Sequence, residues 1–303
     1  MLFLYFCGEK TYTMAKFSDY LRLVKFSHTI FAMPFAMIGF TYALKCGDHS
    51  FTEPWHWAIL LAQVVLCMVF ARNTAMGFNR WADWRIDAEN PRTAEREIPA
   101  GVISPKKALT FVVVNAILFI ATASSINLLT AVLSPVALAV VMFYSYCKRF
   151  TSLAHLVLGL SLGIAPVGAY IAVTGEFALE PCILSVLVMT WCGGFDIIYA
   201  LQDAAFDRER GLHSIPSRFS ARTSLLFSTL LHVVSVAALI WFASFLPGAW
   251  YLWVGIAIFI VLLALQHLLV TPTKQKNIGI AFGTLNGLAS VSLAIFVILD
   301  LLL

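Results

Sequence analysis

Two groups of acid side chains are spaced so that they can do chemistry together. Asn79, Asp83 and Asp87 recur at i, i+4 and i+8 within Asn79-Arg80-Trp81-Ala82-Asp83-Trp84-Arg85-Ile86-Asp87. On an α-helix this puts all three on one face, drifting about 40° over eight residues. Three oxygen-bearing side chains in a row suit a hard cation such as Mg2+, which takes a few carboxylates and fills its other positions with water and phosphate oxygens. The same spacing also suits a solvated helix end in which Arg80 and Arg85 pair with the acids. The polar stretch after Pro91 brings Arg92 and Arg96, whose planar forks of donors match phosphate oxygens. The second group, Asp196, Asp203 and Asp207, is spaced i, i+7 and i+11, again one helical face, with Tyr199 close to it. Asp196 falls nearly two turns inside an apolar run. An acid there costs about 2.5–3.5 kcal/mol on insertion scales, so it either lines a cavity or staples two helices.

The elements that position these residues are membrane helices. The chain has 303 residues, 60% of them hydrophobic and 12% charged. That charge content is about half of what a soluble domain carries, so the solvent is lipid. Apolar runs of about 20 residues occur nine times, at 26–45, 57–78, 107–125, 127–146, 151–173, 178–200, 222–245, 249–270 and 279–301, with Pro91 as the stop after the first acid group. Only Asn127 marks the break between the third and fourth. Of the 20 Lys and Arg residues, all but Lys45 and Arg72 fall on one side of this nine-span arrangement. Positive charge marks the cytoplasmic side, so the N-terminus is expected inside and the C-terminus outside. The net charge of +4 comes from short clusters between apolar runs and carries no nucleic-acid signal. The loops 79–106 and 201–221 hold most of the acids and are expected to cap one integral-membrane domain, 1–303, on its cytoplasmic face. Met1 and Met14 both read as starts, and Met1 to Cys7 is too short for a signal-peptide core. The six Cys residues are scattered and read as packing residues, with a Cys46–Cys182 disulfide on the outer side left open.

Both acid groups sit at the inner ends of even-numbered spans, so the second and sixth spans are expected to face each other across one cavity. Clustered acids cannot face each other unneutralised. A diphosphate bridged by one or two Mg2+ resolves the conflict. Lys148-Arg149, closing the fourth span, either grips that anion or anchors the helix by its charge. Tyr199 and His213 each read equally as site or packing residues, and His155 and His232 as packing residues. An ion-coupled transporter is the rival from another class, because it too places acids within spans. Here, though, the acids gather at one face beside Arg-rich loops. The spacing of a phospholipid-type alcohol phosphotransferase is absent.

The ordered set of motifs resembles the UbiA prenyltransferases. The set comprises Asn79-x-x-x-Asp83-x-x-x-Asp87, Arg92-Thr93-x-x-Arg96, Tyr199-Ala200-x-Gln202-Asp203-x-x-x-Asp207 and Gly211-Leu212-His213-Ser214-Ile215-Pro216. Arg22-Leu23-x-Lys25, Tyr144-x-x-x-Lys148-Arg149 and Leu158-Gly159 agree with it. The likeness runs from Arg22 to Arg218. Within the family it is strongest to the 4-hydroxybenzoate polyprenyltransferases, through Asn90-Pro91-Arg92-Thr93 and Arg96-Glu97-Ile98-Pro99-Ala100-Gly101. One departure is Arg80, where the family often carries Asp.

The resemblance implies an all-α fold of nine transmembrane helices around a central cavity, in the cytoplasmic (inner) membrane of a bacterium. It implies Mg2+-dependent transfer of a prenyl chain from a prenyl diphosphate to an aromatic ring. The expected acceptor is 4-hydroxybenzoate, as in ubiquinone biosynthesis, with a naphthoate for menaquinone as the alternative. No obligate protein partner is implied. On this reading Asn79 and Asp83 hold one Mg2+, Asp203 and Asp207 a second, and Asp87 completes the first motif. Arg92, Arg96 and Lys148 grip the diphosphate. Asp196 or Asp207 orients or deprotonates the phenol, Tyr199 stands beside them, and Arg149 or Arg22 receives the acceptor carboxylate.

Overall fold

A computed structural model describes residues 16–24, 31–46 and 54–303. Met14, Lys25 and the start of the first expected span lie outside them. The described elements are α1 (Phe17–Leu23), α2 (Met33–Cys46), α3 (Pro54–Glu89), α4 (Pro105–Ser124), α5 (Leu128–Cys147), α6 (Ala154–Thr174) and α7 (Leu179–Ala200). Then come α8 (Ala204–Glu209), α9 (Ile215–Arg218), α10 (Ala221–Ala243), α11 (Trp250–Leu269), α12 (Ile278–Ile280) and α13 (Asn286–Leu302). Among the described residues, eight helical stretches are long and apolar enough to cross a membrane. With α2, of which 14 helical residues are described, they match the nine expected spans. The chain is a multi-pass, all-α membrane protein.

The caps explain the boundaries. Ser104 accepts from the Lys107 amide with Pro105 in the first turn, which opens α4. Asn127 opens α5 by a reciprocal cap with Thr130. Its side-chain amide also donates to the carbonyls of Ile171 (2.8 Å) and Ala172 (3.3 Å). The break resting on that single residue is therefore real, and it is tied to the end of α6.

Helix α3 does not stop at the expected edge of its span. It runs unbroken through the first acid motif to Glu89, just before Pro91. Residues 79–89, counted with the segment that follows the second apolar run, are helical as the spacing of Asn79, Asp83 and Asp87 and the stop at Pro91 predict. After Ala200 the backbone tightens into a 3-10 turn, Leu201–Asp203, before α8 continues. The second acid motif thus stays on a nearly continuous helical path.

Helix α7 is the central element. Two thirds (67%) of its apolar window is buried within the protein, against 17–33% for most of the others. Its Trp191 is fully buried and packs at tilted and edge-on angles against the rings of Phe35, Phe195 and Phe259 from α2, α7 and α11. Small residues let helices approach. Gly159 on α6 lies against the Met189 carbonyl of α7, and Gly163, one turn on, against that of Ser185. A side chain at Gly159 would collide with backbone, so this small-xxx-small pair sets the α6–α7 distance. Gly194 likewise admits His232 from α10. Side chains such as Ile117, Val132, Trp250 and Leu268 point outward, as a surface facing hydrocarbon requires. Cys46 and Cys182 are both free thiols.

Candidate active site

The ends of α3, α5, α6 and α7 that lie beside the acid motifs, with the segments that adjoin them, line one cavity of about 250 Å³. Asn79, Asp83, Asp87, Arg92, Arg96, Lys148, Asp196, Tyr199, Asp203 and Asp207 all line it. The second and sixth spans do face each other across it. Helical spacing explains the convergence, because each motif presents one face of a rigid element.

Each acid has a defined partner. Asp83 is buried and held by Lys148 Nζ at 2.6 Å and Arg149 Nη2 at 3.2 Å. Asn79 reaches Asp83 at 3.5 Å. Asp87 accepts from Arg96 Nη1 at 2.8 Å on both oxygens. Asp203 takes a fork from Arg92, Nε to Oδ1 at 2.8 Å and Nη2 to Oδ2. Asn90 adds a third donor to Asp203 at 3.1 Å. Arg92 also donates to the Tyr199 hydroxyl at 3.0 Å. Burial works against the Arg92 charge, but Asp203 and Tyr199 more than offset it and keep the guanidinium above its ordinary range. Asp207 accepts from the Ser214 hydroxyl at 3.1 Å. The loop carrying Ser214 is fixed in turn, since the His213 amide donates to the Lys148 carbonyl at 2.6 Å.

Asp196 is paired with a residue that the sequence marks only for packing. His155 Nδ1 lies 2.7 Å from Asp196 Oδ2. The Ile215 amide donates to His155 Nε2 at 3.3 Å. A ring nitrogen that accepts a hydrogen bond cannot also donate, so Nδ1–H is the donor to Asp196.

Two expected residues lie elsewhere. Arg22 does not line the cavity. It pairs with Asp19 three residues earlier on α1 and is 66% exposed. Arg149 is also absent from the lining, because Asp83 Oδ1 and the Ala82 carbonyl hold its guanidinium over the Tyr146 ring. Arg72, Arg80 and Tyr144 line the cavity as well; the sequence motifs include Arg80 and Tyr144, but none of the three was given a site role. Helical phase could have found the first two. Arg72, Met76, Arg80 and Asp83 fall on adjoining strips of one α3 face.

The donor set suits Mg2+. It consists of the oxygens of Asn79, Asp83, Asp87, Asp203 and Asp207 around one cavity, with room for an anion. Among the described residues no three acid, His or Cys side chains converge as a ready-made cage. These donors fit an ion that keeps water and phosphate oxygens.

The comparisons decide the family. The UbiA prenyltransferase family matches residues 32–293. The chain belongs to the UbiA prenyltransferase family. It is a prenyltransferase, which removes the transporter rival. A 4-hydroxybenzoate octaprenyltransferase of Aliivibrio fischeri (strain MJ11) is 31% identical over 198 residues, 65% of this chain and 68% of that protein. The enzyme of the same name from Salmonella paratyphi C (strain RKS4594) is 28% identical over 244 residues, covering 80% and 82%. The apo structure of a UbiA homologue from Aeropyrum pernix K1 superposes with a TM-score of 0.74 at 28% identity, covering 89% and 95%. A UbiA homologue from Archaeoglobus fulgidus bound to GPP and Mg2+ shares the fold, with a TM-score of 0.69 at 20% identity over 92% and 99%.

Proposed function

We propose that this UbiA-family enzyme transfers a prenyl chain from a prenyl diphosphate to a hydroxylated aromatic carboxylate, 4-hydroxybenzoate first among them, with Mg2+ as cofactor. The observation that carries this reading is the single cavity in which Asp83, Asp87 and Asp203 are each held by a basic side chain suited to phosphate. The relatives named above act on 4-hydroxybenzoate, and the archaeal homologue holds GPP with Mg2+.

Asn79 and Asp83, completed by Asp87, would hold one Mg2+, and Asp203 with Asp207 a second. When bound, the ion supplies positive charge against which the diphosphate leaves. Arg92, Arg96 and Lys148 turn from their carboxylates to the phosphate oxygens, a charge-assisted exchange of like for like. Phe31, Phe195, Tyr199 and Phe282, whose rings pack edge and face beside the cavity, shield the allylic cation from water. The acceptor ring attacks at the carbon ortho to its hydroxyl. Asp196, oriented by His155, takes the phenol or ring proton; Asp207 is the other carboxylate placed to do so. Arg72 lies eight residues before Arg80, about 12 Å deeper along α3, and takes the acceptor carboxylate in place of Arg22 and Arg149. The basic residues gathered in the loops at this end support a site on the cytoplasmic side of the membrane.

The test is a transfer assay on membranes containing the protein, with labelled prenyl diphosphate, Mg2+ and either 4-hydroxybenzoate or a hydroxynaphthoate. Prenylated benzoate supports the reading as stated. Product only with the naphthoate keeps the reaction and changes the acceptor to the menaquinone type. No diphosphate release with any aromatic carboxylate, while control enzymes turn over, refutes it.

A further inference from the structure

Arg80 lines the cavity and takes part in none of the pairs described above. Arg80 is 4% exposed, and its Nε and Nη1 atoms have no hydrogen-bond partner among the described residues. None of the five carboxylates that line the cavity is bonded to it: Asp83, Asp87, Asp203, Asp207 and Asp196 are held by Lys148 and Arg149, Arg96, Arg92, Ser214 and His155. A buried guanidinium with unmet donors is costly, and the like charge of Arg96 acts on it as well. A side chain in that position is built to meet an anion that arrives from outside the fold.

Its place identifies the anion. Arg80 follows Asn79 directly, and the charges of Arg96, Asp87 and Glu97 act on it. These belong to the rim where the acid motif meets the basic loop, not to the deeper part of the cavity where Arg72 lies. Resting on the prenyl diphosphate reading, we propose that Arg80 is a further diphosphate-binding residue, whose Nε and Nη1 donate to oxygens of the leaving diphosphate. It differs from Arg92, Arg96 and Lys148 in one respect. They must release a carboxylate before they bind phosphate, whereas Arg80 has none to release. Its share of the affinity is therefore independent of whether a metal has arrived to take over the carboxylates.

The experiment measures binding of labelled inorganic diphosphate to the purified enzyme in lipid nanodiscs, with Mg2+ and with EDTA. It also measures the KM of donor and acceptor separately. Arg80→Gln is expected to weaken diphosphate about tenfold or more, as loss of a charged hydrogen bond does. The factor should be similar in both media, with donor KM rising and acceptor KM unchanged. Arg80→Lys keeps the charge but loses the fork and is expected to fall between. Wild-type diphosphate affinity in Arg80→Gln, or in Arg80→Lys should the Gln variant not fold, overturns the proposal. So does a rise confined to acceptor KM, which would make Arg80 an acceptor contact. Failure of the wild-type enzyme to bind diphosphate in either medium overturns the prenyl diphosphate reading itself and this inference with it.

Discussion

His155 on α6 donates from Nδ1 to Asp196 Oδ2 on α7 across 2.7 Å, while the Ile215 amide occupies its other nitrogen. The backbone thus fixes the tautomer, and the tautomer fixes the orientation of a carboxylate that lines the cavity. His155→Ala is expected to lower kcat about 10- to 100-fold, within the range for a group that positions an acid–base residue. Donor KM should change little. His155→Asn, which retains a donor near the Nδ1 position, should recover part of the loss. Equal kcat in wild type and His155→Ala would remove Asp196 from the chemistry.

Asp83 is buried beneath two cations, Lys148 and Arg149. Asp83→Asn keeps the shape and removes the charge. Transfer is expected to fall at least 100-fold, and the melting temperature should drop by an amount corresponding to about 1–3 kcal/mol, because a buried partner is lost. Full stability with lost activity would mean that the cations are satisfied without it.

Tyr199 meets Arg92 through its hydroxyl and the Phe282 ring through its face. Tyr199→Phe removes only the first contact. Donor KM should rise about 3- to 10-fold, the value of one hydrogen bond. Tyr199→Ala also strips aromatic shielding and should lower kcat further. If Phe and Ala behave alike, the ring contributes nothing to the transition state.

Chelation should abolish transfer, and Mg2+ should restore it more fully than Ca2+, because two short acid motifs and a phosphate suit octahedral coordination better than a large flexible cage. Turnover that persists in EDTA would refute the role given to Asp83 and Asp203.

Gly159 touches the Met189 carbonyl, where a side chain would strike backbone. Gly159→Leu is expected to push α6 from α7 and break the His155–Asp196 contact. Loss of folded protein in detergent is the measure. A well-folded, active Gly159→Leu enzyme would show that the helices separate at little cost.

What the sequence made legible was local, apart from the meeting of the second and sixth spans across one cavity. Asn79, Asp83 and Asp87 share a face because of helical pitch alone, and a single capping residue, Asn127, divided two spans correctly. Pairings between distant residues were not legible. Arg92 meets Asp203 across 111 positions and Arg149 meets Asp83 across 66, and no periodicity encodes which Arg finds which Asp. The same blindness sent Arg22 to the acceptor, although Asp19, three residues earlier on its own helix, already held it. His155 read as packing because its partner lies 41 residues away on a neighbouring helix.

The paired carboxylates and cations of the cavity also make the two ligands depend on each other. A metal alone would take Asp83 or Asp203 and strand Lys148 or Arg92 without a counter-charge. A diphosphate alone would take the cations and strand the acids. Each ligand removes the penalty that the other incurs, so the two bind with positive coupling. With the diphosphate and Mg2+ proposed above, such a site would discriminate against apolar chains that lack a metal-complexed head, and Mg2+ alone would not saturate it.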